Sequence, residues 1–282
     1  GIRNVSAGLS VASPILEDHR LRLNVSHYRS SAPLSSLFSA GRESSLVNEF
    51  SAGGAFRVAS GAHVTVLGGA SRRSSGGGLR PIFDFQVTAS PADRWTFDFA
   101  AGREFLKVTP RSIDLDISSY KVAGGVGYAF DPRTSLAVRA DRRYWSDDNR
   151  SIAAEGVFRR ILHYYKPLMV DAGALTRWES FERDLRFASG FFTPDQYWRH
   201  DGFVGVHGEL GRRFIYETRG SLGGQKVARD AGYRSSWEAA ASATIRLGQS
   251  LNFSAHYERR NYSLLSRNGW YQGFYVSLGV RP

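Results

Sequence analysis

Cysteine is absent from the 282 residues, which excludes a disulfide framework, a zinc knuckle and a thiol nucleophile. Long uncharged runs are also absent. The longest stretch without Asp, Glu, Lys or Arg has 14 residues, Val58 to Ser71, whereas a membrane-spanning helix needs about 18. Acidic residues are fewer than basic ones, 26 against 37, and the net charge of +11 suggests an anionic partner. Aromatic residues make up 13% of the chain, which argues against disorder.

Apolar and polar residues alternate along most of the chain. In 83–89, 95–99, 136–140 and 251–257 every second residue is apolar, and the residues between them are mostly polar. Successive side chains of a β-strand point to opposite faces, so each segment predicts a strand with one apolar and one polar face. The sequence therefore predicts an all-β protein.

The predicted strands are joined by two kinds of connection, which take turns along the chain. Short turns are expected near 13–19, 60–62, 90–93, 131–134, 163–167, 211–212 and 248–250. Longer loops are expected near 31–45, 72–79, 104–118, 146–150, 178–195, 223–234 and 262–268. This alternation is typical of an up-and-down meander, whereas a sandwich with Greek-key crossovers gives no reason for it.

Two features favour a membrane barrel over a soluble sandwich. The polar strand faces carry many ionisable side chains, which a water-filled lumen accepts while the apolar faces meet lipid. Five of the six tryptophans lie at strand ends next to long loops: Trp145, Trp178, Trp198, Trp237 and Trp270. Amphipathic rings crowded at one end are typical of an interfacial girdle. We therefore expect residues 1–282 to form one transmembrane antiparallel up-and-down β-barrel domain, integral to the bacterial outer membrane.

The number of strands is expected to be about sixteen. Fifteen can be identified, and the first and last of them run in the same direction. Because single-chain bacterial barrels normally have an even number, one strand is expected before Gly1, which would make this chain the C-terminal part of a longer protein. Alternatively, residues 104–118 contain a strand, since Ile113, Leu115 and Ile117 alternate there. Sixteen strands would enclose a water-filled channel.

Charged side chains and one histidine on the polar strand faces are the candidates for lining this channel. They are Arg57, Asp84, Asp98, Lys121, Arg139, Asp141, Arg143, Glu155, Arg159, Asp171, Arg177, Arg213, Glu217, Arg219, Glu238, His256, Glu258 and Arg260. The alternative is that they form cross-strand ion pairs that stiffen the wall. Candidates for an exit gate are Phe191, Phe192, Pro194, Tyr197 and Trp198. Their alternative role is membrane girdle and loop packing.

The segment Phe191–Trp198, Phe-Phe-Thr-Pro-Asp-Gln-Tyr-Trp, carries a resemblance to a known family. It is similar to the aromatic-aromatic-Ser/Thr-Pro segment, followed by an aromatic residue, in the C-terminal barrels of exopolysaccharide-export porins. These are the outer-membrane subunits of bacterial cellulose secretion and their poly-N-acetylglucosamine relatives. The resemblance implies a 16-stranded barrel after a periplasmic tetratricopeptide scaffold, with a polysaccharide in transit and an inner-membrane synthase complex as partners. No tetratricopeptide repeat occurs in this chain, so no scaffold function is placed on it.

Enzyme signatures are mostly absent. The sequence has no G-x-S-x-G elbow, no H-E-x-x-H and no Walker loop. The seven histidines show no metal-ligand spacing, so no catalytic residue, metal or cofactor is expected. Ser254 and His256 share a polar face, as a lipid-modifying barrel enzyme would require, although two such residues occur often by chance.

Three functions are therefore open. The first is an outer-membrane porin that conducts a secreted exopolysaccharide, cellulose-like or a related biofilm glycan, from periplasm to exterior. The second is a general diffusion porin for small solutes, with residues 104–118 or 178–195 as its constriction loop. The third is an outer-membrane lipid-modifying enzyme.

The positive charge is expected to face membrane lipid rather than nucleic acid, because no nucleic-acid-binding fold is recognisable. Basic residues in and beside the long loops would meet lipopolysaccharide phosphates. They are Arg72, Arg73, Arg80, Arg111, Arg150, Arg186, Arg234 and Arg267.

Overall fold

The computed structural model of the chain describes residues 2–16, 19–32, 44–74, 78–185, 193–211, 213–227, 232–248, 251–261 and 270–280. No helix within these ranges is long and apolar enough to cross a membrane. The described elements are β1 (Ile2–Leu16), β2 (His19–Ser31), β3 (Ser44–Ala59), β4 (Ala62–Arg73), β5 (Arg80–Ala92), β6 (Trp95–Phe105), α1 (Pro110–Asp114), β7 (Ser118–Asp131), β8 (Thr134–Trp145), β9 (Arg150–Tyr165), β10 (Leu168–Phe181), β11 (Tyr197–Leu210), β12 (Phe214–Val227), β13 (Arg234–Leu247), β14 (Leu251–Asn261) and β15 (Trp270–Val280).

The strands form one closed barrel. Each strand pairs antiparallel with its neighbours in the chain, and β1 pairs with β15 in parallel, from Ile2 opposite Tyr271 to Val11 opposite Val280. The parallel closure follows from the odd number of strands, because alternate strands reverse direction and the first and fifteenth run the same way. The expected all-β barrel of about sixteen strands is confirmed, with fifteen in the described residues. The additional strand before Gly1 stays a prediction.

The alternative of a strand within residues 104–118 is wrong. After β6, helix α1 occupies Pro110–Asp114, and β7 begins only at Ser118. The backbone N–H of Ser112 donates to the Thr109 side chain at 3.0 Å, and the Ser112 hydroxyl accepts from the Thr109 backbone N–H at 3.1 Å. A reciprocal cap of this kind, with proline at the start of the helix, favours a helical turn over a strand.

Connections of two lengths alternate around the barrel. At one end, called here the short-turn end, every connection has two or three residues, such as 60–61 between β3 and β4. At the other, the long-loop end, they have four to fifteen residues. The shortest of them, residues 146–149 between β8 and β9, lies where a connection of about this length was expected.

The outward face of the barrel is apolar. The strand registers place apolar outward positions side by side, as with Val87 opposite Phe99 and Val126 opposite Val138. Phe99 and Val138 have 43% and 45% of their surfaces accessible, and Val204 has 52%. Exposed apolar surface costs about 25 cal/mol per Å² in water, so an apolar surface around the whole barrel matches the band that membrane barrels present to lipid.

Candidate functional site

The predicted pore-lining residues lie on inward-facing strand positions, with one exception. The strand registers make many of them neighbours on adjacent strands: Arg139 of β8 and Arg177 of β10, for example, flank Glu155 of β9. The exception is Arg213, which lies in the turn between β11 and β12. The remaining candidates therefore share one polar face, and their contact with a solute stays a prediction.

Asp171 is the centre of one inward cluster. Its side chain is 4% exposed and accepts a hydrogen bond from the Arg159 guanidinium. His207 Nε2 lies 3.1 Å from the same carboxylate, and His207 Nδ1 lies 3.6 Å from Glu217. Gly205 is opposite Asp171, where a Cβ atom would collide with the carboxylate. The glycine therefore provides the space in which Asp171 meets its two basic partners.

Asp201 is the centre of a second inward cluster. Its side chain, 1% exposed, accepts hydrogen bonds from Arg199, from the Ser221 hydroxyl at 3.1 Å and from the Ser236 hydroxyl. The guanidinium of Arg199 also lies 3.1 Å from Glu238. A carboxylate this buried needs such partners, because burial without them would cost several kcal/mol. Of this cluster the sequence patterns indicated only Glu238.

Other predicted pore-lining charges also form ion pairs along the wall. The described pairs are Arg139–Asp98 at 3.6 Å, Arg143–Glu104 at 3.0 Å, Arg143–Asp141 at 3.1 Å, Arg177–Glu179 at 3.0 Å and Arg177–Glu155 at 3.9 Å. Several are partly exposed, where a single pair contributes up to about 1 kcal/mol. These contacts favour wall stiffening for these side chains and leave a lumen surface of nearly balanced charge.

A segment that is not part of the wall occupies the lumen at its long-loop end. Residues 106–117, called here the inward loop, leave β6, cross towards β1, β2 and β3, and return to β7. Lys107 Nζ lies 2.5 Å from Glu49 Oε2, and the Ser30 hydroxyl donates to the Val108 carbonyl at 3.2 Å. Asn4 Nδ2 donates to the same carbonyl at 3.4 Å. The inward loop therefore bridges strands that are far apart around the barrel.

The far end of the inward loop packs tightly against the wall. Ile113, 2% exposed, lies in an apolar cluster with Tyr28 and Val47. The Ser45 hydroxyl donates to Asp114 Oδ1 at 2.9 Å. Burial of a large aliphatic side chain contributes about 1.5–3 kcal/mol, so Ile113 is the strongest single anchor at this end.

Arginines that the sequence placed at the membrane surface instead hold the inward loop. Arg73 donates to the Ile113 carbonyl at 2.8 Å and lies 2.5 Å from Asp116 Oδ2, which Arg80 reaches at 3.0 Å. Arg111 lies within α1 itself. The expectation of lipopolysaccharide contact is wrong for Arg73, whose side chain is 7% exposed, and it stays a prediction for Arg80 and Arg111.

A tryptophan that was expected in the membrane girdle packs against the end of the inward loop. Trp145 is 7% exposed, forms an apolar cluster with Ile117 and Phe181, and donates from Nε1 to the Ser151 hydroxyl at 3.0 Å. Its position faces inward, opposite Ser119 of β7. The girdle interpretation is therefore wrong for Trp145, whose ring supports the inward loop.

Open space remains on both sides of the inward loop. A cavity of about 450 Å³ lies towards β3 to β8, and its polar lining includes Asp84 and Lys121. A second cavity of about 270 Å³ lies towards β1, β2, β14 and β15, where Tyr28, Tyr271 and Tyr275 line it. The inward loop thus narrows the lumen and divides it.

The segment that carries the family resemblance is only partly described. Phe191 and Phe192 lie outside the described residues. Pro194 is buried, and its carbonyl accepts from the Phe181 backbone N–H at 3.1 Å, so it orders the loop base. Tyr197 faces inward, with its hydroxyl 3.4 Å from Gln225 Oε1. Trp198 lies on the outward face opposite Trp178, ring centres 6.2 Å apart, as a girdle residue would.

Ser254 and His256, the residues considered for lipid chemistry, contact other side chains. Ser254 hydrogen-bonds with Thr244 at 2.9 Å, and the His256 ring packs on Tyr275 with ring centres 5.6 Å apart. Both face inward, away from the apolar surface. No group of three or more His, Asp or Glu side chains suited to a metal ion is found in the described part of the chain.

Residues 104–118 were named from the sequence as a candidate constriction loop, but the helix within them was missed, although a signal was present. Thr109-Pro110-Arg111-Ser112 reads as an N-cap followed by proline at the first helical position. The alternation of Ile113, Leu115 and Ile117 obscured it. In the structure Ile113 and Ile117 are buried in different clusters, while Leu115 is 48% exposed.

The barrel fold is similar to that of a solved outer-membrane protein. A structure described as a bacterial polysaccharide outer membrane secretin superposes with a TM-score of 0.73 at 12% identity, over 94% of this chain and 85% of that one. A mutant of the ferric enterobactin receptor PfeA from Pseudomonas aeruginosa gives a TM-score of 0.45 at 10% identity, over 91% of this chain and 48% of that one. No protein-family model and no curated protein sequence matches the chain. At 12% identity, the first likeness shows a shared barrel fold.

Proposed function

We propose that the chain is an outer-membrane channel through which a secreted polysaccharide leaves the cell. The observation that carries the proposal is the closed fifteen-stranded barrel with an apolar outward face and a polar, ion-paired inward face. A barrel of this size encloses more space than its own wall side chains fill. The likeness to a polysaccharide outer membrane secretin over 94% of the chain supports the same function.

The inward face suits a hydrated polymer that must not stall. A glycan exchanges hydrogen bonds with hydroxyls, amides and charged groups, and conduction requires each of these contacts to be weak. Because many wall charges already have partners, they offer polar contact without strong attraction for one sign of charge. The aromatic faces of Tyr271 and Tyr275 beside the smaller cavity add flat surfaces on which sugar rings can slide.

The inward loop must move for a polymer to pass. It crosses the lumen in the closed arrangement, held by Ile113 and by the contacts of Arg73 and Lys107. The Arg80 side chain is 50% exposed and Lys107 is partly exposed, so breaking their ion pairs costs little, and the burial of Ile113 accounts for most of the free energy that displacement of the loop requires. We therefore take the inward loop as a resting closure that an engaged polymer displaces.

An engineered disulfide tests this proposal directly. Ser45→Cys with Asp114→Cys joins β3 to α1 where the two native side chains are 2.9 Å apart, and the chain has no other cysteine. In producing cells the oxidised protein should block polysaccharide secretion, and a reductant should restore it. Ser45→Cys alone should secrete under both conditions. Normal secretion with the disulfide formed, or with the gene deleted, would contradict the proposal.

The inward loop also supports a second candidate, a diffusion porin for small solutes. A fixed loop that narrows a polar lumen would restrict passage by size, and the cavity of about 450 Å³ beside it leaves room for small sugars. Vesicle swelling separates the two functions. A diffusion porin should pass small sugars equally with the disulfide closed or reduced, and its deletion should leave secreted polysaccharide unchanged.

The finer assignments follow from the motif resemblance and stay part of the proposal. They are a cellulose-like or related biofilm glycan as cargo, a periplasmic tetratricopeptide scaffold, an inner-membrane synthase complex and no enzymatic activity of the barrel. Co-purification of the barrel with a synthase complex from a producing strain would test the partners. A secreted glycan of different composition would overturn the cargo assignment.

A further inference from the structure

Cations on the outward face are concentrated at one end of the barrel. Eight arginines and lysines occupy outward-facing strand positions within three residues of the long-loop end, and we call them the basic rim: Arg3, Arg29, Arg72, Arg103, Arg142, Arg150, Lys226 and Arg259. They are contributed by eight strands distributed around the barrel. The lumen-facing pairs are not part of this set.

Acidic residues do not share the strand positions that carry the basic rim. Among the described strands, no Asp or Glu occupies an outward-facing position in the long-loop half. Glu182, just beyond β10, lies 3.7 Å from Arg150, with both side chains more than half exposed. The acidic residues of the strands alternate into the lumen instead. The outward positions of the described strands in this half therefore carry basic side chains and no acidic ones, a separation that the net charge of +11 alone did not show.

The described strands have no such row of outward cations at the short-turn end. Arg160 faces outward there, five residues from the end of β9, and Arg94, Arg133, Lys166 and Arg213 lie in the turns, with Asp93 and Asp131 in or beside them. Similar numbers of outward cations at both ends would indicate only that charged side chains favour both membrane–water interfaces. Concentration at one end indicates a ligand that is present on one side of the membrane.

Aromatic rings hold several rim guanidinium groups at the surface. Arg103 lies 5.2 Å from the ring centre of Tyr120, and Arg142 lies 5.2 Å from that of Tyr144. A guanidinium group that stacks on a ring covers its flat face and keeps the N–H donors along its edge available for hydrogen bonds. That edge matches the paired oxygens of a phosphate group.

We propose that the basic rim binds the phosphate groups of lipopolysaccharide in the outer leaflet. The proposal rests on the membrane location within the proposed function and is independent of polysaccharide transport. It assigns the long-loop end to the cell exterior. The apolar band below the rim would contact the acyl chains, while the guanidinium groups and Lys226 would contact phosphates at headgroup depth.

A lipid-binding measurement with matched variants tests the proposal. The rim variant combines Arg29→Gln, Arg72→Gln, Arg103→Gln and Arg142→Gln. The control variant removes the same charge from the short-turn end by Arg20→Gln, Arg94→Gln, Arg133→Gln and Arg160→Gln. Both are purified as folded barrels, verified by heat-modifiable gel mobility, and titrated in detergent with bisphosphorylated lipid A while native mass spectrometry counts bound lipid.

The expected result is loss of lipid A binding in the rim variant alone, by at least about tenfold, with strong weakening by salt. The control variant should bind like the unaltered chain. Lipid A without phosphates should bind poorly to all three proteins. Equal binding by the rim variant, equal loss in the control variant, or equal binding of phosphate-free lipid A or phosphatidylglycerol would overturn the assignment. Failure of polysaccharide secretion tests would leave these outcomes unaffected.

Discussion

Excision of the inward loop should widen the channel without opening the wall. The Leu106 backbone N–H donates to the Ile117 carbonyl at 2.8 Å, so the two ends of the loop already continue the β6–β7 hairpin. Residues 107–116 can therefore be replaced by an Asn-Gly turn, which suits a two-residue hairpin connection. The variant loses the loop contacts with β1, β2 and β3 and retains every strand pair.

The size of the effect follows from the strand number. Fifteen strands about 4.8 Å apart and tilted by about 40° enclose a barrel about 30 Å across between backbones. Wall side chains of about 5 Å reduce the lumen to about 20 Å, and a helical segment about 10 Å wide then covers roughly two thirds of its cross-section. Removal of the inward loop should raise ion conductance about two- to threefold.

Single-channel recording in planar bilayers measures this change. Heat-modifiable mobility of the purified variant first confirms that the barrel has folded. Conductance should rise about two- to threefold, in proportion to the cross-section worked out above. A folded variant with unchanged conductance would refute the reasoning, because it would mean that the inward loop does not limit the open path.

Three further substitutions test the two faces of the wall and the loop root. Asp201→Ala should lower the free energy of unfolding by about 2–3 kcal/mol, because Arg199 then keeps only Glu238 as an acidic partner. The control Glu217→Ala, at a more exposed carboxylate, should lower it by less than about 1 kcal/mol. Urea titration of barrels inserted in vesicles measures both values. Trp145→Ala should lower the free energy of unfolding by about 3–5 kcal/mol. It should also raise the ion conductance, because Ile117 at the end of the inward loop loses its packing partner. Val138→Arg places a charge on the outward face and should lower the stability of the inserted barrel by about 2–4 kcal/mol. The neighbouring Ala137→Arg places the same charge on the inward face, and its barrel should still assemble in the membrane.

Strand parity predicted the division of the wall into two faces. The period of two is a local property, so a segment such as 136–140 shows its faces without knowledge of its neighbours. The same parity placed Glu155, Arg159 and Asp171 inside. Their partners could not be predicted in this way, because the register between strands depends on turn geometry and on irregularities such as the shift between Val170 and Asp171.

The interior contacts of the loops could not be predicted from local pattern. Trp145 satisfies the sequence criterion for a girdle residue as well as Trp178 does, since both lie at the long-loop ends of strands. Parity separates them, because Trp178 faces outward opposite Trp198 while Trp145 faces inward towards Ile117. Position along a strand and parity must therefore be used together before an aromatic residue is assigned to a membrane interface.

The two populations of arginine show why net charge alone gave an incomplete answer. Arg73 and Arg72 are adjacent in β4, yet Arg73 faces inward and binds Asp116 while Arg72 faces outward on the basic rim. A carboxylate inside the lumen can neutralise an inward arginine, but the outward face near the long loops provides almost none. On the described strands the basic side chains of the long-loop end therefore face the surrounding membrane without acidic neighbours on the same strand face, whereas acidic and basic side chains are mixed on the face where a glycan would pass.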